Sequence, residues 1–189
     1  MPQIILASAS PRRRELLNQI HVRHLVQLVE IDEKPLPNEC PQNYVQRLAL
    51  EKATACQRKF EPQLPILAAD TTVVLDNQIM GKPENETDAF RMLKQLSGKT
   101  HHVFTAITLL GNQQNSVISK TEVTFKHLTE EEILTYWQSG EPLDKAGSYA
   151  IQGKGSLFIE RINGSFSGVM GLPLFETAQL LALEGIKIL

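Results

Sequence analysis

Ile66-Leu67-Ala68-Ala69-Asp70-Thr71-Thr72-Val73-Val74 is a run with apolar residues on both faces of an extended chain. A strand buried on both faces belongs at the centre of a sheet that helices cover from either side, so this segment constrains the fold more than any other. Asp70 interrupts it. A carboxylate is costly to bury there unless a cation pairs with it. At the carboxyl end of a strand such an acid holds a metal or takes a proton from water; a turn or capping aspartate is the structural alternative.

Around this strand the first half of the chain alternates: strand 3–7, helix 11–20, strand 24–30, helix 42–59, strand 66–75, helix 86–96. That order predicts an α/β sheet. Val103 to Leu110, a turn at Gly111-Asn112 and a return through Val117 to Phe125 predict a long antiparallel hairpin. The capping box Thr129-Glu130-Glu131-Glu132 opens a short helix to Ser139, residues 148–170 are glycine-punctuated and β-like, and Leu172 to Leu183 forms a closing helix with Pro173 at its start. With no repeat, low-complexity tract or linker, residues 1–189 read as one domain of two lobes with a cleft between them.

Ser8-Ala9-Ser10-Pro11-Arg12-Arg13-Arg14 joins the first strand to the first helix. Ser10 suits the N-cap and Pro11 the first helical position, leaving free backbone N–H groups and the positive end of the helix dipole where a phosphate would bind. Arg12 and Arg13 lie three or four residues before Leu16 and Leu17 and so share the core-facing side, while Arg14 is offset outward. A solvated basic turn is the alternative.

Lys52 falls on the apolar stripe of the helix that carries Val45, Leu48, Ala49 and Cys56. Its ammonium either snorkels to solvent or enters a polar cleft. Arg47 and Glu51 are spaced as an ordinary surface pair. Lys82, in Gly81-Lys82-Pro83 after a hairpin at Asp76-Asn77, is a surface lysine or a cation presented by a constrained loop. Asp32-Glu33 is a solvated loop pair or a source of acidic Mg2+ ligands.

Net charge −2 excludes a general nucleic-acid binder, and no run of about 18 apolar residues is present to span a bilayer. Cys40 and Cys56 have no metal or redox spacing, which points to unpaired thiols and a cytoplasmic protein. Gly98-Lys99-Thr100 is no phosphate loop, because Leu93 occupies the first glycine position. His101 and His102, adjacent on a strand, point to opposite faces and do not chelate one ion.

Ser8-x-Ser10-Pro11-Arg12-Arg13, Asp32-Glu33, Arg47-Leu48-Ala49-x-Glu51-Lys52-Ala53, Ala69-Asp70-Thr71, Gly81-Lys82-Pro83, Ser97-Gly98-Lys99-Thr100-His101 and Asp144-Lys145-Ala146-Gly147-x-Tyr149-x-Ile151-Gln152-Gly153 together resemble the Maf family of nucleoside triphosphate pyrophosphatases. Asp144-Lys145-Ala146-Gly147 and Ile151-Gln152-Gly153 are most similar to its dTTP/UTP pyrophosphatase branch. The resemblance implies a two-lobed α/β fold with an elongated central mixed sheet flanked by helices. It also implies a divalent cation, Mg2+ or Mn2+, and hydrolysis of a nucleotide to its monophosphate and pyrophosphate, with a homodimer by analogy. Asp70 would be the proton acceptor, and Arg12, Thr71 and Gln152 would help select the nucleotide.

The chemistry agrees with that implication. Cleavage between the α and β phosphates needs a metal, cations along the triphosphate and a base for water. Ser8, Arg12, Arg13, Lys52 and Lys82 form the candidate phosphate-binding set, with Asp70 and Glu33 as acids and metal ligands. The Gln152 amide offers an adjacent donor and acceptor that complement the imide edge of thymine and uracil, and cytosine reverses that pattern. Two rival readings remain: the same reaction on another base such as 7-methyl-GTP, and a nucleotide-binding regulator of cell division without turnover.

Overall fold

The computed structural model describes residues 1–189, and its centre is the strand expected to be central. Seven strands form one mixed sheet: β1 (Ile4–Leu6), β2 (His24–Val26), β3 (Ile66–Leu75), β4 (Gln78–Met80), β5 (Thr100–Leu110), β6 (Gln114–Phe125) and β7 (Ile159–Asn163). The order is β2-β1-β3-β5-β6-β7, with β4 also on β3. β1 runs parallel to both β2 and β3, and the remaining pairs are antiparallel.

Six helices cover the sheet: α1 (Pro11–Gln19), α2 (Pro41–Phe60), α3 (Glu86–Leu96), α4 (Glu130–Gln138), α5 (Phe166–Met170) and α6 (Leu174–Leu183). One face is covered by α2, whose Val45, Ala49, Ala53 and Cys56 pack on Ile66, Ala68 and Val74 of β3 and on Phe104 and Ala106 of β5. On the other face, α1 and α6 pack on Leu67, Ala69, Ile107 and Leu109, while α3 and α4 pack on Val73, Val103, Val123 and Phe125.

The partners of β3 change along its length, and this creates the opening in the fold. On one edge it pairs continuously with β5 from Ile66 to Val74. On the other, β1 pairs only with Ile66 and Leu67, and β4 only with Val73 to Leu75. Between them, from Ala68 to Thr72, the edge has no strand partner. Ala7 N–H donates to Leu67 C=O at 2.9 Å, and from there the alternation of strand hydrogen bonding turns the N–H and C=O of Ala69 and Thr71 toward this notch. Asp70 and Thr71 emerge beside it from opposite faces of the sheet.

Local chemistry explains several of the boundaries. Asp76 and Asn77 adopt left-handed backbone (φ 49° and 63°), as the two-residue β3–β4 turn requires. Thr129 and Glu132 form the reciprocal capping box of α4. Asn85 accepts from Asp88 N–H at the start of α3.

Three expectations need correction. The second strand stops at Val26 instead of continuing to 30: Gln27 N–H still donates to Leu6 C=O, but β1 ends there and offers nothing further. Residues 148–170 are mostly not strand. Only Ile159–Asn163 pairs, while Lys154–Phe158 is a 3-10 turn and Phe166–Met170 a helix whose first turn is tied down by Gly168 N–H donating to Ser165 Oγ at 2.9 Å. The last helix begins at Leu174, with Pro173 in the capping position.

Candidate functional site

A cleft of about 920 Å3 opens over the notch in β3. Ser8, Arg12, Arg13, Glu33, Lys52, Asp70, Thr71, Lys82 and Gln152 all line it, drawn from six separate stretches of the chain.

Asp70 lies within β3, not at its carboxyl end as a strand-end acid would, and reaches the cleft because the edge beside it is open. It is 7 % exposed. Lys52 meets it from α2: the ammonium lies 2.7 Å from Asp70 Oδ1 and 2.6 Å from Glu33 Oε1, so the snorkelling reading of Lys52 fails. Burial pushes the Asp70 carboxyl above the ordinary aspartate range, against the pull of Lys52 and Arg13. For Glu33 burial acts in the same direction, but the hydrogen bond and charge of Lys52, with Lys82 and Arg13 behind it, outweigh burial and hold that carboxyl below its usual range. The two acids on one ammonium are thereby pushed apart, and the deeper one becomes the better proton acceptor.

The arginines divide the work. Arg13, 9 % exposed, donates from Nε to Gly171 C=O at 2.7 Å, from Nη1 to Ser8 Oγ at 3.1 Å and from Nη2 to Thr71 Oγ1 at 3.3 Å. Thr105 Oγ1 donates to Gly168 C=O at 2.7 Å and has spent its proton there. The 2.9 Å contact between Thr71 and Thr105 therefore has Thr71 as donor, and with Arg13 on one lone pair Thr71 offers the cleft only the other. Arg13 is in this way a tie between α1, β3 and the turn after α5. Arg12, half-buried, makes no such bonds, and its guanidinium is left for an anion; burial lowers its pKa, against Glu15 and Asp144.

Ser10 stands at the N-cap position of α1 but its hydroxyl makes no capping bond; Ser8 Oγ accepts Ser10 N–H instead, at 3.2 Å. Ser10 to Arg13 line the cleft, so the first turn of α1, which no side chain caps, lies against it. Lys82 is exposed on the loop after β4, which Gly147 N–H anchors by donating to Gly81 C=O at 3.0 Å. Gln152 is exposed and lines the same cleft with no protein partner for its amide.

Residues that sequence reasoning set aside also shape the site. Arg47 is more than half of a surface pair. It clasps Glu39 at 2.6 and 2.7 Å and donates to Lys34 C=O at 3.1 Å, and Tyr44 OH donates to Glu33 C=O at 2.8 Å, so α2 holds the loop that presents Glu33. Burial, with Asp70 and Glu33 nearby, pushes the Tyr44 phenol up to about 12. Lys145 lines the cleft beside Arg12 and Lys82, and burial and then Arg12 draw its pKa down. It lies in Asp144-Lys145-Ala146-Gly147, where no helical spacing to another charged residue marks it in the sequence. His101 is a core residue, against the half-exposed His102 on the other face.

The model for Maf-like proteins matches residues 3–184. The chain belongs to the Maf family. Among curated Maf relatives, it is 54 % identical over 186 residues to a dTTP/UTP pyrophosphatase of Pseudoalteromonas atlantica, covering 95 % of each chain. It is 48 % identical to one of Pasteurella multocida, covering 98 % of each, and 49 % identical to one of Alkalilimnicola ehrlichii, covering 95 % of this chain and 92 % of that one. Among solved structures, a HAM1 protein from Coxiella burnetii is similar in fold at TM-score 0.55 and 17 % identity, over 97 % of this chain and 100 % of that one. For this Maf chain, no helix is long and apolar enough to cross a membrane.

Proposed function

We propose that this Maf protein hydrolyses dTTP and UTP, together with base-modified relatives of these nucleotides, to the nucleoside monophosphate and pyrophosphate. The observation that carries the reading is the row Asp70–Lys52–Glu33 at the floor of a cleft whose walls present Arg12, Lys82, Lys145 and Gln152. The names of its close relatives support the choice of base.

The cations accommodate the triphosphate tail, with the N–H groups at the start of α1 as further donors. Water attacks the α phosphorus as Asp70 accepts its proton; the bond from the α phosphorus to the bridging oxygen breaks, and that oxygen leaves with pyrophosphate. Lys52 holds the Asp70 carboxylate in place and, by its charge, keeps it ionised. A divalent cation fits the donor set, because Asp70 and Glu33 each commit one oxygen to Lys52 and keep the other, and Mg2+ is commonly held by one or two carboxylates plus substrate phosphates. Such an ion, Mg2+ or Mn2+, would offset charge on the phosphates and polarise the bond that breaks. Gln152 would read the imide edge of the base.

A panel of nucleoside triphosphates assayed with Mg2+ for pyrophosphate and orthophosphate tests this. Pyrophosphate from UTP and dTTP, with little from CTP, is the expected result. Orthophosphate alone, a preference for 7-methyl-GTP, or UTP binding without product would overturn it. Asp70→Asn should abolish turnover while leaving the fold intact.

A further inference from the structure

Selection by an amide requires that it be held in one pose, since the same group turned over matches cytosine as well as it matched uracil. Gln152 has no bond of its own to the protein, so its pose depends on the backbone that carries it.

That backbone is gripped on both sides by one pair of residues. Before Gln152, Ala150 N–H donates to Tyr136 Oη at 3.1 Å. After it, Lys154 N–H donates to Glu141 Oε2 at 2.9 Å and Gly155 N–H to Glu141 Oε1 at 3.0 Å. Tyr136 and Glu141 are joined to each other, Tyr136 O–H donating to Glu141 Oε1 at 2.7 Å. The loop also fits closely around the pair: a Cβ on Gly153 would stand 2.2 Å from Glu141 Oε2, and one on Gly155 would stand 2.6 Å from Ala150 C=O and 2.7 Å from the Tyr136 oxygen. Tyr136 is buried against Phe158 in the core below, so the grip is fixed to the fold and not to another mobile loop.

We infer that Tyr136 and Glu141 are positioning residues for base selection, a phenol and a carboxylate that clamp the two ends of the Gln152 loop and fix where its amide meets the pyrimidine. The inference rests on the reading that Gln152 contacts the base. Neither residue lines the cleft, so neither touches substrate.

Tyr136→Phe removes only the oxygen that joins the two halves of the clamp, and Glu141→Gln places an amide N–H2 against a backbone N–H donor. The test is the ratio of kcat/KM for UTP over CTP, measured within one preparation so that the folded fraction cancels. With the clamp cut, the ratio should fall by about tenfold, the KM for UTP should rise by a similar factor and kcat should change less than about threefold. Gln152→Ala should collapse the ratio by itself, and adding Tyr136→Phe to it should lower the ratio no further. A wild-type ratio in a folded Tyr136→Phe protein, alongside a collapsed ratio in Gln152→Ala, would overturn the clamp. A wild-type ratio in Gln152→Ala would overturn the underlying assignment of Gln152 and the clamp with it.

Discussion

The ammonium of Lys52 stands 2.7 Å from Asp70 Oδ1, a helix residue reaching into the open edge of the central strand. Removing one partner of a buried pair strands the other as an uncompensated charge, and at Asp70 the relief is protonation. Lys52→Met should therefore lower kcat at neutral pH by about a hundredfold or more. It should also move the acid limb of the kcat/KM profile to higher pH, and a rate profile from pH 4 to 9 checks both.

In the metal-free native protein the Asp70 carboxyl should titrate above the ordinary aspartate range, because burial raises it against the pull of Lys52 and Arg13, and a bound divalent cation should draw it back down. The group must be ionised to accept a proton, so activity is present above its pKa and is lost as pH falls through it. An Asp70 carboxyl carbon signal that titrates in the metal-free protein at the value of a solvent-exposed aspartate would contradict this assignment.

Arg12 and Arg13 should separate cleanly. Arg13→Lys loses the fork that ties Gly171, Ser8 and Thr71, and should cost about 2 kcal/mol or more in urea unfolding. Arg12→Lys should leave the unfolding midpoint near that of the wild type and raise the KM for UTP.

Arg47→Ala should loosen the loop bearing Glu33 without touching the cleft. Faster limited proteolysis between residues 30 and 40, a rise of several-fold in the Mg2+ concentration needed for half-maximal turnover and little change in kcat at saturating Mg2+ are the expected results.

His101 is fully buried, and burial, then His102, drives its pKa from 6.5 to about 3. Between those values the unfolded chain binds a proton that the folded chain does not, so stability falls as pH drops from 6.5 toward 3, by up to about 1.4 kcal/mol per pH unit. His101→Phe should flatten that slope in urea titrations at pH 7, 6 and 5.

Much of this was legible in the sequence where signals are local. Apolar periodicity set the central strand and α3 to the residue, and Pro11 and the Thr129 capping box opened their helices as read. Asp70 announced itself as a charge in an apolar run. What stayed hidden acts through the main chain or over distance. Glu141 serves backbone N–H groups on the far side of the Gln152 loop, which no side-chain pattern encodes. Arg47 had a ready explanation in Glu51 one turn away, and its stronger partner Glu39 lies in a loop before the helix. Phe166–Met170 is hidden because Gly168 and the β-branched Val169 are poor helix formers, and in five residues one serine cap is the only helical signal.

The gap between β1 and β4 has one more consequence. Unpaired strand edges invite foreign chains to add themselves, the usual route to aggregation. Here the unpaired stretch is only Ala68 to Thr72, bounded by a strand at each end and almost wholly buried, with the charged side chains of the cleft beside it, so it offers a polypeptide no free edge on which to dock. A slender polyanion can enter where a second protein cannot.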